Sequence, residues 1–336
     1  MLELTIENAL DYLREKGWIE PGPARVESLG WGVSNAVLRV FKPEKTFVLK
    51  QSRPQLRTKD AWFSDLDRVY REQEVMQFLR PLLPPLTVPE VLFVDRPNHV
   101  FAMSHAPVPH QVWKESLLAG VVDNAVSERA GRILGRIHQA TASSRARMEA
   151  FRDHTVFVQL RVEPFYRRIQ ERHPDLALRI EPIIDRLLST KEALCHADYS
   201  PKNILVHAEG FTLVDYETAH FGDPSMDLGF LLSHLLLKAV KRQRDRHGFF
   251  ELTRAFWRGY GEESRYQPLA DMQTRCSEHL AVCLLARIDG TSPVDYLPEE
   301  PKRETVLQLA RRILQDRIGT WNSIVLACKE ECRSLS

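Results

Sequence analysis

The sequence predicts an α+β protein in two parts: a small strand-rich N-terminal part carrying one prominent helix, and a larger, mainly helical C-terminal part. Three observations carry this expectation. Val26 to Val40 and Phe47 to Gln51 read as β-rich, and both fall within the first hundred residues. From residue 104 to the C-terminus the pattern is helical. A chain of 336 residues with 43% hydrophobic content can bury a large core and suggests about two domains. The expected parts are residues 1–103 and 104–336.

Each element follows from local pattern. Thr5 to Lys16 has helical periodicity with a threonine as its cap. Leu29-Gly30-Trp31-Gly32-Val33-Ser34-Asn35 reads as a turn between strands. Gly30 and Gly32 let backbone approach a phosphate closely, and Ser34 and Asn35 add donors. Phe47-Val48-Leu49-Lys50 is a strand ending in a lysine. Asp65 to Leu79 is a helix whose apolar stripe is Val69, Val75, Met76 and Leu79. Further helices are expected over Val126 to His138, Glu163 to Arg172, Pro182 to Leu188, the stretch after Asp227, and Phe249 to Tyr260. No internal repeat or low-complexity linker interrupts them.

Composition excludes several classes. A formal charge of +1 gives no general field to attract nucleic acid or an anionic membrane. Five cysteines without a CxxC pair argue against a disulfide framework or a zinc site, and Cys328 and Cys332 read as small buried hydrophobes on one helix. The opening MLELTIENALDYLREKGW is amphipathic with early acids, unlike a leader peptide. The most apolar segment, Leu228 to Val240, is too short to span a bilayer and contains Ser233 and His234. A cytoplasmic location is expected.

The chemistry concentrates in residues 194–217, LCHADYSPKNILVHAEGFTLVDYE. Asp198 precedes Asn203 by five positions, and Asp215 follows twelve later. Between the last two, Ile204-Leu205-Val206 reads as a strand, Ala208-Glu209-Gly210 as the turn and Phe211 to Val214 as the return strand. Such a hairpin is expected to set Asn203 beside Asp215, with Asp198 on the loop just before them. Oxygen-bearing side chains at one hairpin mouth suit a hard cation, and Mg²⁺ takes one or two protein carboxylates together with substrate phosphates.

His196-Ala197-Asp198 followed by Ser200-Pro201-Lys202-Asn203 resembles the H-G-D-x-x-x-x-N motif of aminoglycoside phosphotransferases, choline kinases and methylthioribose kinases. Val214-Asp215-Tyr216-Glu217, Gly222-Asp223-Pro224 and Asp227-Leu228 resemble later motifs of the same family. The resemblance spans roughly residues 25–300 and implies a bilobal protein-kinase-like fold that uses ATP and Mg²⁺ to phosphorylate a hydroxyl of a small molecule. It implies Asp198 as the catalytic base, and Asn203 and Asp215 as metal ligands, with Glu217 at a second ion or its water. It places Lys50 on the α- and β-phosphates. Arg71-Glu72-x-x-Val75-Met76 resembles the family's R-E-x-x-x-L pattern and makes Glu72, with Glu74 the alternative, the partner of Lys50. Asp227 and His196 become supports of the catalytic loop. Lys202 either approaches the γ-phosphate or pairs with a surface acid.

Two segments resemble methylthioribose kinases more closely: Gln111 to Gly120, and Leu285-Ala286-Arg287-Ile288-Asp289-Gly290, which is similar to that family's R-R-x-x-G run. Arg287, the one arginine of the pair present here, is thereby implied to meet substrate at a helix end. The chain departs from the pattern at Ala197 (usually Gly), at Asn203 (often Ser) and at Asp-Tyr-Glu in place of Asp-Pro-Glu. Lys238, Lys241, Arg242, Arg244, Arg246, Arg254 and Arg258 cluster in the C-terminal half, which favours a neutral or anionic acceptor, such as a sugar or an alcohol already bearing an acidic group, over polycationic aminoglycosides; an aminoglycoside or amino-alcohol (choline-type) kinase is the alternative. A pseudokinase acting as an interaction module is the reading of a different class. The complete set of lysine, base and metal residues stands against it.

Overall fold

The computed structural model describes residues 2–30, 35–53 and 64–335. Its contacts divide the chain into two units, Met1–His110 with His207–Thr218, and Gln111–Val206 with Ala219–Ser336. The first unit runs past the expected boundary at residue 103 and recovers a later segment. Long-range bonds hold that segment: the Leu213 N–H donates to Thr87 O at 2.8 Å, and Thr212 Oγ1 donates to Leu86 O at 2.8 Å.

The first unit contains helix α1 (Ala9–Glu15), strands β1 (Arg25–Ser28), β2 (Asn35–Phe41) and β3 (Thr46–Ser52), helix α2 (Arg68–Leu79), and strands β4 (Val91–Asp95) and β5 (Val100–Ser104). The strands form one antiparallel sheet in the order β1-β2-β3-β5-β4. Helix α1 starts four residues later than the Thr5 cap predicts. The Asn8 side chain turns back instead, accepting the Thr5 N–H and donating to Glu3 O.

Strand alternation decides what β3 does. Phe47 and Leu49 face the cluster formed with Tyr12 and Leu13 of α1 and with Leu38, Val40, Val100 and Ala102. Gln51, on that same face, ties down the N-terminal segment through Leu2 O and Leu4 N. Lys50 therefore points to the opposite face, paired in register with Val37 and Phe101.

The second unit is helical: α3 (Trp113–Ala119), α4 (Asn124–Ala142), α5 (Thr155–Phe157), α6 (Arg168–Arg172), α7 (Ala177–Ser189), α8 (Ser225–Lys241), α9 (Arg246–Glu263), α10 (Leu269–Asp289), α11 (Glu300–Gln315) and α12 (Trp321–Glu331). Between α5 and α6, Val158–Arg167 is wound as a π-helix around Pro164, and the Arg168 N–H reaches Glu163 O. Helix α8, expected from its apolar run, is buried from Ser225 to Val240 and packs on α9 and α10. Helices α4 and α9 approach closely because Gly131 lies against the Phe256 carbonyl and Gly259 against the Glu128 carbonyl, where a Cβ would collide. The short strands β7 (Ala193–Cys195) and β10 (His220–Gly222) pair antiparallel. All five cysteines are free and buried. Among the described residues no helix is long and apolar enough to cross a membrane.

Candidate functional site

In the first unit the strand register delivers Lys50 to an acidic pair, of which Glu72 is buried and Asp215 partly exposed. Lys50 Nζ lies 2.6 Å from Glu72 Oε2 and 2.6 Å from Asp215 Oδ1. Glu72 is fully buried and also accepts the Tyr216 N–H at 3.4 Å. Burial opposes the lysine's charge, but Asp215, Glu72 and Glu217 outweigh it and hold the ammonium well above its ordinary range. Burial pushes the Glu72 carboxyl up, and the charges of Asp215 and Glu217 act in the same direction. Glu74, the alternative, is exposed and lies 3.5 Å from Arg96.

Glu217 sits beside this cluster. Its Oε2 accepts Asn35 Nδ2 at 2.7 Å and Arg68 Nε at 3.2 Å. Arg68 is wholly buried and also donates to the carbonyls of Ser64, Asp65 and Arg53. Arg68 and Glu72 are four apart on α2, so both heads leave the same helix face. Of the glycine turn, Gly30 has a left-handed φ of +32°; Gly32 and Ser34 lie outside the described residues.

In the second unit the Asp198 loop runs from β7 to a 3₁₀ turn at Pro201–Asn203. Asp227, on the first turn of α8, accepts the N–H groups of His196 at 2.7 Å and Ala197 at 2.6 Å. Its Oδ2 also lies 3.3 Å from His138 Nε2, whose other ring nitrogen meets Tyr260 Oη at 3.0 Å. His196 Nδ1 accepts the Asp198 N–H at 3.2 Å. These bonds over-determine the turn and hold Ala197 at φ +60°, a conformation that favours glycine.

The Asp198 carboxylate is held on both oxygens. Arg161 Nη2 lies 2.9 Å from Oδ1, Lys202 Nζ lies 2.9 Å from Oδ2, and Asn203 Nδ2 donates to Oδ2 and to the Asp198 carbonyl at 2.9 Å each. Arg161 comes from the π-helical stretch and also donates through Nε to Ala197 O at 2.7 Å. Lys202 pairs here with Asp198, whose carboxylate is buried and is not a surface acid.

Arg287 stands in the last turn of α10, as expected for a helix end. It is half-buried, and its Nη1 donates to Ser292 O and Oγ. Burial lowers its pKa, the Asp198 charge opposes this, and the Arg161 charge adds to it. Among the described residues no carboxylate forms an ion pair with Arg287.

Lys50, Glu72 and Asp215 thus meet in the first unit, with Asn35 and Glu217 adjoining; Asp198, Lys202, Asn203, His196 and Asp227 meet in the second. Sequence reasoning missed Arg68 and Arg161, and named Lys238 in a basic cluster without seeing that it is wholly buried. Arg68 had a signal, because it shares a helix face with Glu72.

A comparison with protein families matches residues 25–269 to the phosphotransferase enzyme family (APH). Methylthioribose kinase 2 of Oryza sativa subsp. japonica is 24% identical over 241 residues, covering 63% of this chain and 56% of that protein, so the chain spans little more than half of this relative. Methylthioribose kinase of Bacillus thuringiensis (strain Al Hakam) is 23% identical over 361 residues, covering 93% of this chain and 90% of that one. Among solved structures, the amicoumacin kinase hAmiN in complex with AMP-PNP, Ca2+ and Ami superposes with a TM-score of 0.58 at 14% identity, covering 93% of this chain and 94% of that one. At that identity the likeness establishes the fold, which is protein-kinase-like.

Proposed function

Because the chain belongs to the phosphotransferase enzyme family, we propose that it transfers the γ-phosphoryl group of ATP to a hydroxyl of a small, sugar-like acceptor. The first unit serves the nucleotide and the second the acceptor and the base. The observation that most supports this reading is the Asp198 carboxylate, fixed on both oxygens by Arg161, Lys202 and Asn203 on a loop braced by Asp227. Such a carboxylate is oriented rather than strongly basic, which suits a loose transition state in which proton transfer comes late.

Each residue then has a role. Asp198 orients the acceptor hydroxyl and takes its proton. Lys50, kept ionised and immobile by Glu72, binds the α- and β-phosphates, while Asn35 and the Gly30 turn offer donors to the phosphate chain. Lys202, whose side chain is half exposed, follows the transferred group. Arg287 offers a planar fork of donors to acceptor oxygens. Asn203, Asp215 and Glu217 present the hard oxygen donors that Mg²⁺ prefers, and their chemistry fits that ion. When bound, the ion neutralises phosphate charge. The methylthioribose kinase relatives support a sugar acceptor, and the cation-rich second unit disfavours polycationic aminoglycosides.

The test is ATP consumption with Mg²⁺ against panels of sugars, sugar acids and amino-alcohols, run beside Asp198→Asn. Acceptor-dependent ADP release that the variant loses by orders of magnitude is the expected result. Nucleotide binding with no turnover on any acceptor would instead favour the interaction-module reading.

A further inference from the structure

Helix α8 buries an ammonium without an acid. Lys238 has no exposed surface, and among the described residues its Nζ finds only His234 O at 3.2 Å and Tyr296 Oη at 3.5 Å. It lies 5.0 Å from the centroid of the Tyr296 ring, and Lys114 Nζ from α3 lies 5.9 Å from the same centroid. Lys241 Nζ donates to the Tyr296 carbonyl at 2.7 Å. The charge of Arg287 acts on both Lys238 and Tyr296; its Nε is buried with no hydrogen-bond partner, while the residue as a whole keeps partial contact with solvent. Among the described residues no carboxylate lies within ion-pair distance of Lys114, Lys238 or Arg287.

An uncompensated buried charge costs several kcal/mol, and an apolar residue in its place is commonly more stable. Lys114 and Arg287 make this cost larger, because like charges disfavour one another. Burial, with those two charges, pushes the Lys238 ammonium down to about 7. His234 is pushed below its ordinary range by burial and by Lys238, Arg287, Lys202 and Lys114, so it adds no further positive charge. Convergent cations that no acid among the described residues neutralises are the arrangement of an oxyanion site. Its position fits the acceptor, since Arg287 feels the charges of both Asp198 and Arg161.

We infer that Lys114, Lys238 and Arg287, grouped around Tyr296, recognise a carboxylate or phosphate carried by the acceptor, so that the molecule phosphorylated is an anionic hydroxy compound. This rests on the kinase reading above, and differs from it in demanding an anion.

The probe is inorganic phosphate, titrated calorimetrically into the full chain with saturating ADP and Mg²⁺ present, with glycerol as a neutral control. ADP affinity is measured separately by fluorescence. Phosphate is expected to bind in the millimolar range or tighter, about 4 kcal/mol or more, and glycerol not to bind. Lys238→Met and Arg287→Met should each weaken phosphate at least about tenfold, which is about 1.4 kcal/mol, and leave ADP affinity unchanged. Lys238→Met replaces a buried charge by an apolar side chain of similar length, so folding is preserved. Lys114→Gln provides a second, half-buried variant, expected to weaken phosphate several-fold. Absence of phosphate binding while ADP binds would overturn the anion site and leave the kinase reading intact. Undiminished binding in Lys238→Met and Arg287→Met, or displacement of phosphate by ADP, would also overturn it. Failure of ADP to bind would sink the kinase reading and with it the acceptor role of the anion, whether or not phosphate binds.

Discussion

Arg161 grips Asp198 at two levels at once: Nη2 lies 2.9 Å from the carboxylate, and Nε donates to the carbonyl of the preceding residue, Ala197, at 2.7 Å. One planar guanidinium thereby fixes both the side chain and the backbone that carries it, a task lysine cannot perform. Arg161 is a positioning residue on this reading. Arg161→Lys is expected to lower kcat by about tenfold to a hundredfold, or about 1.4–2.7 kcal/mol of barrier, with the KM for ATP unchanged. Steady-state kinetics with each substrate varied decides it. A proportional fall in active enzyme at constant kcat per folded molecule would reduce Arg161 to a structural contact.

The Lys50 cluster makes a prediction with two readouts. Glu72 is fully buried and its partner nearly so, and removing one member of such a pair typically costs about 3–5 kcal/mol because the other is left uncompensated. Here Asp215 remains to hold the ammonium, so the loss should fall below that range. Glu72→Gln is therefore expected to lower the thermal midpoint modestly and to raise the KM for ATP severalfold or more. An unchanged KM would show that fixing Lys50 is not what Glu72 does.

How much of this was legible depended on how local the cause was. Lys50 could be found because β3 is a short apolar strand whose alternation is fixed, and Glu72 because a helix face is periodic. The Asp198 segment carried its own spacing. Arg161 could not be found: it lies 37 residues before Asp198, on a helix whose π-winding around Pro164 breaks the periodicity that would have aimed it. The burial of Lys238 was hidden for a related reason. It sits at the end of the apolar run of α8 and at the start of a basic stretch, and composition cannot tell which neighbour claims it. Packing did, by covering α8 on both sides. The domain edge shifted because the segment after β8 (Ile204–His207) is held by Lys50 and Arg68, contacts that lie far away in sequence.

Ala197 supplies a stability prediction. At φ +60° an alanine is strained by about 1–2 kcal/mol. Glycine relieves that strain but loses about 0.5–1 kcal/mol of chain entropy. The buried residue has no side-chain role beyond its methyl, and its N–H and C=O are both engaged. Ala197→Gly should leave stability unchanged or raise it by up to about 1 kcal/mol, read by urea unfolding. A loss of more than that amount would mean the methyl packs better than the backbone suffers.

Lys238 predicts a pH dependence whose sign can be worked out. Its folded pKa is pushed down to about 7 by burial and by Lys114 and Arg287, from an ordinary value of 10.5. Between those values the unfolded chain holds a proton that the folded chain has shed, so stability rises with pH across that window. Below about 7 both states are protonated and the full burial penalty applies. The groups facing Lys238 are Lys114, Arg287, Tyr296, whose pKa burial raises, and His234, which burial and the surrounding cations push well below its ordinary range. Lys238→Met removes this contribution, so it should stabilise the protein most at low pH and progressively less as pH rises. Thermal midpoints of both proteins at about pH 6 and about pH 9 test this. A midpoint difference that is the same at both values would mean that Lys238 titrates as an ordinary surface lysine and is not the uncompensated buried cation described above.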